Sequence, residues 1–167
     1  MSAASAAVGQ VLDPFESFAA ALPPHGVLAG LDFGSKTIGV AISDGLRTVA
    51  TPRETVRRKK FSIDSEKLIA LFSGADVTGV VLGLPRNMDG TEGPRCQSTR
   101  AFARNLAPLL DMPIGFWDER LSTVAAERAL LEADTSRARR AEVIDHVAAS
   151  YILQGALDRL RHLGDGS

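Results

Sequence analysis

The chain has 167 residues, with 19 Lys and Arg against 20 Asp and Glu and a formal net charge of −1. That balance excludes a wholly basic nucleic-acid coat protein and makes any polyanion-binding surface local. A hydrophobic content of 45% with 23% charged residues fits one globular domain, and no run approaches the ~18 apolar residues of a membrane span.

The single cysteine, Cys96, excludes an internal disulfide and fits a reducing cytoplasm, and His25, His146 and His162 are too dispersed for a zinc site. Residues 1–26 read as an N-terminal extension, unlike a signal peptide because no basic leader precedes them and Pro23-Pro24 breaks the stretch. Within it, Asp13-Pro14-Phe15-Glu16 offers a capping acid, a proline at the first helical position and a glutamate three residues after the cap. This predicts a short helix to about Leu22.

From Val27 to Ala41 the pattern is a strand, a glycine turn over Asp32-Phe33-Gly34-Ser35-Lys36, and a second strand. Val49 to Val56 forms a third strand that leads into Arg57-Arg58-Lys59-Lys60. A helix is expected from Asp64 or Ser65 through Leu68, Ile69, Leu71 and Phe72 to about Gly74. Val77 to Leu84 is apolar throughout, as in a strand covered on both faces, and Pro85 stops it.

After a loop with Asn87, Asp89, Gly90 and Gly93, Pro94 opens a helix that turns Phe102, Leu106, Leu109 and Leu110 to the core. Ile114 to Trp117 is the fifth strand. Strand, helix and strand at this spacing make a right-handed parallel crossover. Ser122 or Thr123 caps a further helix with Val124, Ala125, Ala129 and Leu130 inward, and Thr135 to Arg140 reads as a basic loop. The last helix starts near Ala141, with Val143, Ile144, Val147, Ala148, Tyr151, Ile152, Leu157 and Leu160 at three- and four-residue spacing. The main domain spans residues 27–163, and 164–167 form a flexible tail.

Three acids stand where apolar neighbours are the rule. Asp32 ends the run Val27–Leu31, Glu119 ends the run Ile114–Trp117, and Asp145 interrupts the apolar face of the last helix. Each alone has a structural explanation: a turn aspartate, a rim salt bridge of Glu119 with Arg120, and a first-turn helix acid. If the first, fourth and fifth strands are parallel, all three reach one edge of the sheet, where they suit a shared hard cation.

Four ordered motifs resemble the YqgF family, known as Holliday junction resolvase-like proteins or pre-16S rRNA nucleases. They are Asp32-Phe33-Gly34-Ser35-Lys36-Thr37-Ile38-Gly39 with its continuation to Asp44, Gly83-Leu84-Pro85 with Asp89-Gly90, Asp118-Glu119-Arg120-Leu121-Ser122-Thr123, and Ile144-Asp145 through Ala148-Ala149 to Gln154. The resemblance covers about Leu28 to Leu160. It implies an α/β, RNase H-like fold related to the RuvC resolvases, with a five-stranded mixed sheet of order 3-2-1-4-5 and helices on both faces.

It also implies a cytoplasmic, metal-dependent nuclease, with Asp32, Glu119 and Asp145 as catalytic residues and ligands for Mg²⁺ or Mn²⁺, two ions being expected. The substrate would be precursor 16S rRNA processed at its 5′ end or, alternatively, branched DNA, with ribosomal particles as partners, no membrane, and a monomer or homodimer as the working state.

Two departures bear on activity. Thr37 stands where the family commonly has a basic residue. Relative to the RuvC resolvases, the fourth strand ends in Gly83-Leu84-Pro85 instead of an acid, and Ala148 stands where a second aspartate is found. Asp118 or substrate oxygens would then complete a metal shell.

Lys36, Arg86, Arg95 and Arg120 are the expected phosphate contacts near the site. Arg57 and Arg58 in the run to Lys60, and Arg140 in the run from Arg137, are outer rails that recognise backbone and shape instead of sequence. Two other classes of function remain open. Leu31-Asp32-Phe33-Gly34-Ser35-Lys36 also resembles the first phosphate-binding turn of actin- and Hsp70-type ATP-binding modules, and the chain could be a non-catalytic nucleic-acid-binding protein.

Overall fold

The structure is a computed structural model that describes residues 9–121 and 137–165, with the backbone alone for 137–146 and Asp165. In chain order the elements are β1 (Val11–Leu12), α1 (Phe15–Ala21), β2 (Val27–Phe33), β3 (Thr37–Ser43), β4 (Ala50–Arg57), α2 (Phe61–Gly74), β5 (Val77–Leu84), α3 (Pro94–Leu106), β6 (Ile114–Asp118) and α4 (Arg137–Asp165). They build one mixed sheet of order β1-β6-β5-β2-β3-β4.

β2, β3 and β4 form an antiparallel meander, and β2, β5, β6 and β1 run parallel. The five strands read from the sequence lie in the expected order. The correction is a sixth: Val11 and Leu12 pair with Ile114 and Gly115, covering an edge of β6 that would otherwise stand open.

Helices cover both faces. Leu68 and Phe72 of α2 and Phe102 and Leu106 of α3 pack on one side against Leu31, Val80, Leu82 and Phe116. On the other side Phe18 of α1 joins Ile152, Leu153, Ala156 and Leu157 of α4 over Leu28, Val81 and Trp117. Val77 to Leu84 is buried along almost its whole length, as its unbroken apolar run requires of a central parallel strand.

Several local boundaries differ from the sequence reading. α1 has no side-chain cap, because Asp13 lies 3.2 Å from Arg100 Nη1 instead of turning into the helix. α2 starts at Phe61, not at Asp64 or Ser65, and Asp64 reaches back from the first turn to accept the Lys59 N–H at 2.9 Å. Leu109 is 50% exposed: the chain tightens into a 3₁₀ turn over Ala107–Leu109, which carries Leu109 off the inward face and leaves Leu110 buried. Arg137–Arg140 is helix, not loop, so α4 begins before Ala141, in keeping with the good helix propensity of alanine and arginine. The helix expected after Ser122 lies outside the described residues. Among the described residues, no helix is long and apolar enough to cross a membrane.

Candidate active site

Asp32 is the sixth residue of β2 and is only 2% exposed. Side chains alternate along a strand, so Asp32 shares its face with Leu28 and Gly30, the face covered by α4. The helix sits directly on the strand there. A Cβ on Gly30 would come 2.7 Å from Leu153 Cβ and 3.0 Å from the Ala149 carbonyl oxygen.

The neighbouring strand supplies the rest of the pocket. Leu31 pairs with Leu82, so the next position in the ladder sets Asp32 beside Gly83. Gly83 in turn pairs with Trp117, and Leu84 with Asp118. The chain then turns through a 3₁₀ turn, Glu119–Leu121, and Glu119 folds back over Gly83. A Cβ there would stand 2.8 Å from Glu119 Oε2 and would also collide with Ile152 Cδ1. Glu119 is buried as well, 9% exposed. Asp32 on β2 and Glu119 after β6 thus flank the bare Gly83 of β5, the strand between them, beneath α4.

Asp145 lies in α4 one turn before Ala149, at the spacing that groups it with Ala148, Ala149 and Ile152; its side chain is outside the described residues. Among the described residues, no three His, Cys, Asp or Glu side chains cluster as a metal site. The two buried carboxylates of Asp32 and Glu119 nevertheless offer the hard oxygen donors that Mg²⁺ or Mn²⁺ prefers. Asp32, Glu119 and, from α4, Asp145 would hold it.

Asp118 does something else. Its carboxylate accepts from Arg120 Nε at 3.1 Å, from Nη2 at 2.7 Å and from the Arg120 backbone N–H at 2.9 Å, with Arg86 Nη1 at 3.9 Å. Partial burial pushes its pKa up, but the Arg120 hydrogen bonds and the charges of Arg120 and Arg86 outweigh this and hold it below the usual range. Asp118 is therefore the partner of two arginines. Arg120 makes a rim salt bridge with Asp118 at 2.7 Å.

The network continues around this side. Glu92 receives Arg100 Nε and Nη2 at 2.7 and 2.6 Å and has Arg86 Nη2 at 3.3 Å, while the Arg100 guanidinium also lies over the Phe116 ring. Sequence reading marked Arg86 and Arg120 as phosphate contacts but missed Glu92, which pairs with Arg86 and Arg100, and Asp13, which pairs with Arg100. Glu92 meets Arg100 across eight residues and Asp13 meets it across 87, contacts that no local spacing announces.

On the β3 side, Lys36 is exposed on the β2–β3 turn, and its carbonyl accepts the Arg58 N–H at 2.8 Å. Arg58 Nη1 donates to the Gly34 and Ser35 carbonyls at 2.7 and 3.2 Å, and its guanidinium lies 4.3 Å from the centre of the Phe33 ring. Arg57 ends β4 opposite Thr37. Arg95 is exposed in the first turn of α3. Arg140 lies in α4 with its side chain outside the described residues.

Residues 26–159 match the family profile described as RuvX, Holliday junction resolvase. Among similar curated proteins, one from Ruegeria sp. (strain TM1040) is 75% identical over 90% of this chain and 96% of its own. Another, from Ruegeria pomeroyi, is 70% identical over 92% of this chain and 99% of its own. Both carry the name "Putative pre-16S rRNA nuclease". Among solved structures, RuvC of T. thermophilus in complex with a Holliday junction superimposes with a TM-score of 0.52 at 14% identity, covering 84% of this chain and 97% of that one. The fold is that of RuvC, hence RNase H-like, and the chain belongs to the RuvX family.

Proposed function

We propose that this RuvX-family chain is a metal-dependent nuclease that hydrolyses phosphodiester bonds of structured nucleic acid, its substrate being the 5′ region of precursor 16S rRNA in the cytoplasm. The observation that carries the reading is the convergence of Asp32 and Glu119 on Gly83. The names of the Ruegeria relatives favour the RNA substrate.

Bound Mg²⁺ or Mn²⁺ would lower the pKa of a water and offset charge on the leaving oxygen. The chain's own contribution is positional. β2 and the end of β6 fix two carboxylates on rigid elements, and α4 closes the apolar side against bulk water through Ala149, Ile152 and Leu153. No serine, cysteine or histidine nucleophile is needed. Cys96 is buried in the core on the opposite face of the sheet.

The test is cleavage of a precursor 16S transcript by purified protein with Mg²⁺ or Mn²⁺. Wild type should cut, chelator should stop it, and Asp32→Asn and Glu119→Gln should each abolish it. Cutting that survives Asp32→Asn, or binding without any cutting, would sink the reading. The family description favours a second substrate, a four-way DNA junction, so the same assay run on a junction decides between them. ATP-dependent thermal stabilisation without nuclease activity would instead support the phosphate-turn resemblance of Asp32 to Lys36.

A further inference from the structure

The site is flanked by two arginine-bearing walls of opposite electrostatic character. On the β5–β6 side, Arg86, Arg100 and Arg120 face Asp13, Glu92 and Asp118 in continuous ion pairs. Three cations meet three anions there: Arg100 and Arg120 donate to carboxylates of the chain, and Arg86 lies 3.3 Å from Glu92 and 3.9 Å from Asp118 while its Nε is buried without a hydrogen-bond partner.

On the β3–β4 side, Lys36, Arg57, Arg58, Lys59 and Lys60 are all exposed at the same sheet edge that carries Asp32. Lys36, Lys59 and Lys60 have no ion pair among the described residues. The Arg58 guanidinium lies over Phe33, which itself stacks on Phe102 with ring centres 4.3 Å apart. Nη1 of Arg58 is committed to the Gly34 and Ser35 carbonyls. Those acceptors are neutral, so they leave its charge uncompensated, and the residue is exposed. A guanidinium already held by these contacts on an exposed residue loses little freedom when it takes a phosphate.

We propose that the phosphodiester backbone of the substrate is received on one side of the site only, on the platform of Lys36, Arg58, Lys59 and Lys60, and that the Arg86–Arg100–Arg120 wall is a self-neutralised structural rim that takes no phosphate. Phosphate recognition by Arg86 and Arg120 is thereby withdrawn, and a direction of approach is assigned, from the β2–β3 turn toward Asp32. The assignment rests on the nuclease reading for its substrate class.

Binding to a precursor-rRNA hairpin and to a four-way DNA junction, measured at several salt concentrations in an Asp32→Asn background, tests it apart from cleavage. Each lost phosphate contact should lower the salt slope by roughly 0.7 to 0.9. Lys36→Gln/Arg58→Gln/Lys59→Gln should therefore lose two to three such units. Lys36→Gln/Lys59→Gln, whose side chains bond to nothing within the described protein, should lose one to two without any risk to folding. The charge-neutral pairs Arg120→Gln/Asp118→Asn and Arg100→Gln/Glu92→Gln should leave the slope unchanged.

The nucleic acid bound in this platform-dependent way identifies the source of the phosphates. An unchanged slope in the lysine pair, a reduced slope in either rim pair, or no binding to both nucleic acids overturns the proposal. Platform-dependent binding by a protein whose wild type never cuts would keep the interface and remove the nuclease reading.

Discussion

Gly83 shapes the site by having no side chain. Its missing Cβ is the space into which Glu119 Oε2 and Ile152 project, so an acid on β5 has no room and the neighbouring strand supplies one instead. Gly83→Ala should overpack this point, costing about 1–3 kcal/mol and cutting cleavage by much more than the stability loss explains. Urea unfolding and turnover measured on the same preparation check this, and normal turnover with normal stability would refute it. Asp32 and Glu119 were legible in the sequence because an acid closing an apolar run needs a reason. The role of Gly83 was not, since a glycine's neighbours depend on which strands pair and in what register.

Asp118 and Glu92 give the rim a pH dependence with a definite sign. Both carboxyls are held below their ordinary values of 3.8 and 4.5, Asp118 by Arg120 and Arg86 against an upward push from burial, and Glu92 chiefly by its hydrogen bonds from Arg100. A depressed folded pKa means that the stabilisation is fully present above the unfolded value and is lost as pH falls through it toward the folded value. Melting temperature should hold above about pH 5 and decline below it. Asp118→Asn/Glu92→Gln should start lower and show a shallower acid limb in melts between pH 3 and 7. An acid limb as steep as that of wild type would mean that the rim pairs do not contribute.

Among elements, the N-terminal segment gave the sharpest contrast between sequence and structure. The helix after Pro14 was readable from its punctuation, whereas Val11-Leu12 is too short to show any alternation and becomes a strand only because β6 presents an open edge. Phe18 ties the segment down: it is fully buried, and Gly115 of β6 leaves it space, since a Cβ there would lie 2.7 Å from Phe18 Cδ1. Phe15 adds an edge-on contact to Trp117 at 5.5 Å. Phe18→Ala should cost about 3–5 kcal/mol by opening a cavity between α1 and the sheet, while Phe18→Leu should cost less. A denaturation midpoint close to that of wild type in Phe18→Ala would show that the first 26 residues are an appendage and not part of the core.

For the whole molecule, the parallel pair β5 and β6 followed from the crossover spacing and the β2–β3 ribbon from the glycine turn, whereas the strand order that sets β2 beside β5 came from the family resemblance. What stayed hidden was how charge is distributed around the sheet edge that carries the acids, because ion pairs between distant segments decide which arginines remain available. The site itself predicts a coupling between metal and stability. Carboxylates fixed on β2 and β6 form part of a binding site only when the sheet is assembled, so Mn²⁺ or Mg²⁺ should bind the folded state preferentially and raise its stability by RT ln(1 + [L]/Kd), about 2.7 kcal/mol at a hundredfold excess over Kd. Melting curves with and without Mn²⁺ read this directly. Asp32→Asn and Glu119→Gln should lose the metal-dependent increment, and their cleavage should fall by more than the ~10–100-fold expected for losing an outer partner of a metal ligand. A variant that keeps the full increment while losing cleavage would place its carboxylate in substrate handling. An increment absent from wild type itself would remove the metal from the site altogether.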